Sequence, residues 1–280
     1  MKLATLRLQN STVAVRVDSD VAVEITGISD VGALLQFADW RAIAEAATGE
    51  VHKLSEIEPT SWAPVVPVPS KIVCVGLNYA NHIKEMGREL PLYPTLFAKY
   101  PEALLGPFDP IVLPAHAGEH VDWEGELAFI IGKKASHVSA SEAKEFIAGY
   151  SIMNDVTMRD FQYRTPEWFQ GKTFEATSPF GPYLVTADSF EFGGELSTKV
   201  DGQVMQKTLT DDLVFSPEAL IEYITAIFPL NPGDVVITGT PGGVGHARKP
   251  EVYLTSGQTL TTSIEGIGVI ESAVIAQKRA

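Results

Sequence analysis

Asp122, Glu124 and Glu126 alternate along the segment Val121–Ile131, which is wholly apolar from Leu127 onward. Alternate side chains of a strand share a face, so this spacing predicts three carboxylates projecting together. Like charges crowded on a core-bound strand repel one another and lose hydration, which calls for a positive group among them. A divalent metal ion is the simplest such group. The competing reading is a solvated edge strand, because exposed acid pairs are common.

Three other polar clusters carry chemistry. His82 and Glu85 follow the apolar run Ile72–Val75 and are spaced to share a helical face. A carboxylate beside an imidazole fixes its tautomer and raises its basicity, as a general base for water requires; the bland alternative is a surface ion pair. Asp155 ends the apolar run 147–153, and Arg159 and Gln162 fall on the same helical face after it, joining a carboxylate, a guanidinium and an amide. Asp155 could instead be a plain helix N-cap. Lys172, after Gly171, adds an ammonium. Gly233–Gly245 reads as a strand entering a glycine-rich turn whose amides can hold an anion. It lacks the Lys-Ser/Thr ending of a nucleotide-binding loop.

The elements that must position these groups are mostly strands. Residues 1–50 alternate at 6–8, 13–17 and 21–25, with Asp18-Ser19-Asp20 as a turn. A helix is expected over Asp30–Ala47, with Leu34, Phe37, Trp40 and Ala44 as its stripe, and the proline-bearing stretch 51–70 reads as an extended connection. Further strands are expected over 71–77, 111–113, 123–131, 149–155, 182–186, 196–206, 234–238 and 260–275, with Asp201-Gly202 as a hairpin turn. Ser139–Glu142 reads as a capping box opening a helix to Ala148, and Ser216-Pro217-Glu218 opens a second with Leu220, Ile221, Ile224 and Phe228.

Composition bounds the rest. The 280 residues are 45% hydrophobic, enough for one large domain and a small one. A formal charge of -14 argues against duplex nucleic acid or an anionic membrane as the main partner. The single cysteine, Cys74, excludes an internal disulfide, and its apolar run marks it as a buried thiol. With no apolar signal region near the N-terminus and no stretch of ~20 apolar residues, a cytoplasmic protein is expected.

Read in order, GLNYANHIKE (76–85), PTLFAK (94–99), GPFDPIVLP (106–114), DWEGEL (122–127), GYSIMNDVTMRDFQ (149–162), GKTF (171–174), PFGPYLV (179–185) and ITGTPGGVG (237–245) resemble the fumarylacetoacetate hydrolase family, over residues 70–275. The resemblance implies a β-rich α+β fold: a mixed β-roll with peripheral helices over 67–280, preceded by a small α+β N-terminal domain over 1–66, usually as a homodimer. It implies a divalent cation held by Glu124, Glu126 and Asp155, with Asp122 left as a neighbour. All-oxygen ligation selects Mg²⁺ or Mn²⁺ over zinc. Lys172 would stand beside the cation, and Gly239 and Thr240 would donate to the substrate carboxylate. Lys99, Gln162, Arg88 and Arg159 are the other implied substrate-binding residues, with Arg164 as a further cation for a distal carboxylate. His82 and Glu85 would activate water. The implied reaction is hydrolysis of a carbon–carbon bond in a 2,4-dioxo acid, fumarylpyruvate first, to fumarate and pyruvate. Two alternatives stand beside it: an oxaloacetate-type decarboxylase or isomerase of unsaturated oxo-diacids, and a non-catalytic oxo-acid-binding protein. One departure from many relatives is Tyr100-Pro101-Glu102, which puts an acid near the expected pocket entrance.

Overall fold

The computed structural model describes residues 1–80, 83 and 89–277. Its strands are β1 (Lys2–Arg7), β2 (Thr12–Asp18), β3 (Val21–Glu24), β4 (Val51–Lys53), β5 (Ile72–Gly76), β6 (Thr95–Lys99), β7 (Leu104–Leu105), β8 (Ile111–Leu113), β9 (Val121–Asp122), β10 (Gly125–Ile131), β11 (Ile147–Asn154), β12 (Thr157–Met158), β13 (Ser178–Thr186), β14 (Glu195–Val200), β15 (Gln203–Leu209), β16 (Val235–Ile237), β17 (Thr259–Ile264) and β18 (Gly268–Ala276). Among the described residues they form an 11-stranded mixed sheet ordered β4-β3-β2-β1-β13-β11-β10-β16-β5-β6, with β7 beside β13. A 5-stranded sheet, β15-β14-β17-β18-β8, and the pair β12-β9 complete the set.

β10 explains why the large sheet is covered on both faces. It runs antiparallel to both β11 and β16, and all of its residues are buried. A strand with two covered faces needs an uninterrupted apolar run, which Leu127–Ile131 supplies. Leu127, Phe129 and Ile131 enter one core with Val73, Val75 and the helix Pro217–Thr225. Ala128 and Ile130 enter the opposite core with Ile72, Cys74 and the N-terminal residues Val31, Leu34 and Trp40. By alternation Glu126 shares the face of Ala128 and Ile130, at the end of the strand where that core stops.

The helix Pro217–Thr225 forms as expected, with the Ser216 hydroxyl accepting from the Ala219 N–H and Pro217 in its first turn. Its Leu220, Ile221 and Ile224 are fully buried. Leu220→Ala is therefore expected to cost about 2–5 kcal/mol, read as a lowered urea midpoint. A loss below about 0.5 kcal/mol would mean that this helix does not seal the sheet.

Four expectations need correction. The helix over 30–47 is two short ones, Val31–Leu34, capped by Asp30, and Trp40–Glu45. Val31, Leu34 and Leu35 share the buried face of the first helix, with the Leu35 N–H still donating to the Val31 carbonyl; the break comes after it and leaves Phe37 outside at 45%. The Ser139–Glu142 pair forms, with the Ser139 hydroxyl donating to Glu142 Oε2 at 2.5 Å, yet only a 3-10 turn, Ala143–Phe146, follows. β11 begins at Ile147, because the central sheet recruits the apolar run that a helix would have used. Residues 51–70 do not serve only as a connection: β4 pairs with β3, Trp62 bridges to Leu6, and Val65 and Val66 are buried. The acidic segment is not one strand either, for it breaks at Trp123-Glu124 between β9 and β10.

β1 pairs with β13, so residues 1–66 extend the large sheet rather than building their own. The proposal of a smaller unit over 1–66 thus concerns folding autonomy. No helix among the described residues is long and apolar enough to cross a membrane.

Candidate active site

Glu124, Glu126 and Asp155 converge at the joined ends of β10 and β11, with one carboxylate oxygen from each lying within 4.8 Å of the others. They are 7%, 2% and 0% exposed, which rules out the solvated edge strand. The strand break produces the convergence. Glu124 donates its N–H to Asn154 Oδ1 at 3.0 Å instead of to a neighbouring strand, and its carbonyl accepts from Asp155 N at 2.7 Å. Asn154 is in turn held by Thr262, so one buried amide joins both ligand-bearing segments to the second sheet.

Three buried cations surround the acids. Lys172 Nζ donates to Glu124 Oε2 at 2.5 Å and to Asp155 Oδ2 at 2.9 Å. Lys99 Nζ pairs with Asp155 Oδ1 at 2.9 Å and donates to Ser178 Oγ and to the Lys172 carbonyl. Arg159 reaches Glu124 Oε1 at 2.8 Å, Asp122 Oδ2 at 2.7 Å and Gln162 Oε1 at 2.8 Å. Burial alone would raise the Asp155 carboxyl, but Lys172 and Lys99 overcome it and hold Asp155 below the usual carboxylate range. Burial opposes the Lys172 charge, and Asp155 and Glu124 outweigh it, so the ammonium stays protonated. Glu126 differs: burial first, then Asp155 and Glu124, push its carboxyl well above the usual range.

This donor set fits a hard divalent cation. All three ligands are oxygen, and Asp155 Oδ1 is buried and accepts no aligned hydrogen bond. A second grouping, Glu24, Glu50 and His52, is partly exposed and is occupied by its own His52–Glu24 contact at 2.8 Å.

The glycine-rich turn is fastened to the ligand strand. Gly239 sits at φ +93°, where a Cβ would lie 2.8 Å from the Val75 carbonyl, and its N–H donates to Glu126 Oε2 at 2.7 Å. Thr240 Oγ1 donates to the Gly125 carbonyl at 3.1 Å and accepts from Gln206 at 2.8 Å. Gly239 and Thr240 were expected to serve the substrate carboxylate; in this structure both donors are engaged within the site. Lys99, Arg159, Gln162 and Lys172 all gather here. Arg164 lies over the Phe161 ring and is half exposed. His82, Glu85 and Arg88 lie outside the described residues.

Gln206 was not foreseen. Its amide oxygen accepts from Gly125 N at 3.0 Å, and its nitrogen donates to Thr240 and to the Pro241 carbonyl. A β-bulge makes this reach: β14 advances from Thr198 to Lys199 while β15 moves from Gln206 to Val204, so Met205 is the extra residue and side-chain parity flips. Strict alternation would put Gln206 on the exposed face of Val204. Gln206→Ala leaves the buried Gly125 N–H unpaired and is expected to cost about 1–3 kcal/mol in urea unfolding. An unchanged midpoint would show that the Gly239–Glu126 and Thr240–Gly125 contacts fasten the turn without Gln206.

The family profile described as fumarylacetoacetate (FAA) hydrolase, C-terminal, matches residues 71–275. The mitochondrial oxaloacetate tautomerase Fahd2a of Rattus norvegicus is 40% identical over 233 residues, covering 82% of this chain and 74% of that protein. Among solved structures, a 5-carboxymethyl-2-hydroxymuconate delta-isomerase from Mycobacterium smegmatis superposes with a TM-score of 0.82 at 34% identity, covering 100% of both chains. A maleylpyruvate hydrolase from Sphingobium sp. SYK-6 superposes at 0.80 with 28% identity, covering 99% of this chain and 100% of that one.

Proposed function

This chain belongs to the fumarylacetoacetate hydrolase family, and from that premise we propose that it is an enzyme of small 2-oxo diacids that interconverts the enol and keto forms of an oxaloacetate-like substrate. The observation that carries the reading is the buried meeting of Glu124, Glu126 and Asp155 with the ammoniums of Lys172 and Lys99. An enol and its ketone share one enolate, so stabilising that anion lowers the barrier in both directions. The same enolate would form in carbon–carbon hydrolysis, so it is the 40% identity to an oxaloacetate tautomerase that ranks this reading, of the isomerase kind, first.

Glu124, Glu126 and Asp155 would hold Mg²⁺ or Mn²⁺, which when bound supplies Lewis-acid polarisation of the 2-oxo oxygen. Lys172 would stand beside the oxygen on which charge develops, and Lys99, whose three N–H groups go to Asp155, Ser178 and the Lys172 carbonyl, fixes it there. Preorganised donors of this kind each contribute on the order of 100- to 1,000-fold. Arg159 and Gln162 orient the carboxylate end of the substrate. In the enol-to-keto direction a proton leaves the C2 hydroxyl and one is delivered to C3. The sequence gives the His82–Glu85 pair the character of a general base for water; in this reading the same pair is proposed to carry that proton.

A second reading, hydrolysis of a 2,4-dioxo acid, is favoured by the same His82–Glu85 pair and by the likeness to a maleylpyruvate hydrolase. One experiment separates them: Mn²⁺-loaded protein is given enol-oxaloacetate and fumarylpyruvate while enol absorbance and pyruvate are followed together. Accelerated loss of enol absorbance without pyruvate is the expected result. Pyruvate from fumarylpyruvate would select hydrolysis, and pyruvate from oxaloacetate would select decarboxylation. A homodimer is carried forward as part of this proposal, to be read from light scattering.

A further inference from the structure

We propose that Asp122 is a positioning residue, which locks the Arg159 guanidinium and the Gly243–His246 turn into the arrangement that receives the anionic end of the substrate. The proposal rests on the oxo-acid reading above.

Asp122 is fully buried, and both of its oxygens are saturated. Oδ1 accepts from Trp123 N at 2.8 Å and Gly245 N at 2.7 Å. Oδ2 accepts from Arg159 Nε at 2.9 Å and His246 N at 2.9 Å, with Arg159 NH2 at 2.7 Å. Five N–H donors from three segments therefore meet on one carboxylate, which leaves no lone pair for a metal. This separates Asp122 from Glu124 and Glu126, although all three share one sequence spacing.

The turn is pressed onto the carboxylate as closely as backbone allows. A Cβ at Gly245 would lie 1.8 Å from the Val252 carbonyl and 2.9 Å from Asp122 Oδ1, so only glycine fits. The His246 ring, next along, lies tilted against Tyr163 with centroids 5.0 Å apart, which closes the turn against the end of the helix carrying Arg159. Trp123, beside Asp122, donates its indole N–H to the Gly243 carbonyl at 3.2 Å.

With its Nε and NH2 edge held by Asp122, the guanidinium has one orientation. NH2 reaches Glu124, and NH1 holds Gln162. A planar fork recognises a carboxylate only when its plane and edge are fixed, which an aliphatic stem alone does not do. Asp122 sets that plane from behind without touching cation or substrate.

The test uses calorimetric titration of the full chain with Mn²⁺ and then with oxalate, which presents the adjacent oxygens of a 2-oxo acid and cannot turn over. Asp122→Asn keeps the shape and removes the charge. Asp122 bonds none of the cation ligands directly, so the variant's Mn²⁺ affinity is expected to fall by less than the roughly 10- to 100-fold typical of residues that do. Oxalate affinity of the Mn²⁺-loaded variant is expected to fall about 100-fold, the scale of an ångström-sized misplacement. Unchanged oxalate affinity would overturn the proposal, as would a joint collapse of Mn²⁺ binding, oxalate binding and unfolding midpoint, which marks a merely structural group. Arg159→Lys leaves Asp122 and the net charge intact but lacks the two-nitrogen edge, and should reproduce the oxalate loss. Full oxalate affinity in that variant would overturn the proposal even if Asp122→Asn failed to fold. If the wild-type protein binds Mn²⁺ but not oxalate, the oxo-acid reading itself fails, a result distinct from either variant's.

Discussion

Asp155→Asn is expected to lose divalent-cation binding by at least about 100-fold, more than loss of a residue that merely supports a ligand. Turnover should fall with it by on the order of 1,000-fold or more. Asp155 faces both Lys172 and Lys99 and supplies one of three converging oxygens. A carboxamide at this position keeps the volume but offers a single neutral oxygen and two N–H donors that oppose a cation. The measurement is Mn²⁺ calorimetry beside the enol-oxaloacetate assay. Retained Mn²⁺ affinity together with retained turnover would remove Asp155 from the role of a cation ligand.

Lys172→Met should show a different pattern, because the ammonium has two tasks. It bridges Glu124 and Asp155, and it is 2% exposed. Taking it away leaves buried carboxylates with less compensation, a change that typically costs about 3–5 kcal/mol. A divalent cation on the same carboxylates substitutes for that charge, so most of the lost stability should return when Mn²⁺ is added. Turnover should stay at least about 100-fold low even with Mn²⁺, since the donor beside the developing oxyanion is gone. Urea unfolding with and without Mn²⁺ reads the first effect and the enol assay the second. An equal stability loss in both conditions would show that Lys172 and the cation do not answer the same charges.

Much of this was legible in the sequence for local reasons. The helix over 217–225 carried its own N-cap, its proline and an apolar stripe, and all three belong to neighbouring residues. The hairpin β14–β15 was announced by Asp201-Gly202, whose residues accept positive φ. The reading of 30–47 as one helix and of 139–148 as a helix went wrong where propensity competed with packing. In the first case the chain leaves the helix after Leu35, so Phe37, a member of the expected stripe, stays exposed while Trp40 is buried from a second helix. In the second the central sheet took Ile147 onward as β11.

At the site the division follows the same line. Residue types and the order of the motifs were sufficient by themselves to determine the family, because each motif is written within a short stretch of chain; spacing grouped Glu124 and Glu126 with Asp122, and it was the resemblance that implied Glu124, Glu126 and Asp155 as a set with Lys172 beside them. Tertiary structure alone decided that the acids are buried in mid-sheet, that Asp122 turns away to Arg159 and the Gly245 turn, and that Gln206 reaches Gly125 through a bulge. Burial and parity are properties of pairing between segments far apart in the chain. A carboxylate's role depends on which donors those pairings deliver to it, and no local spacing encodes that.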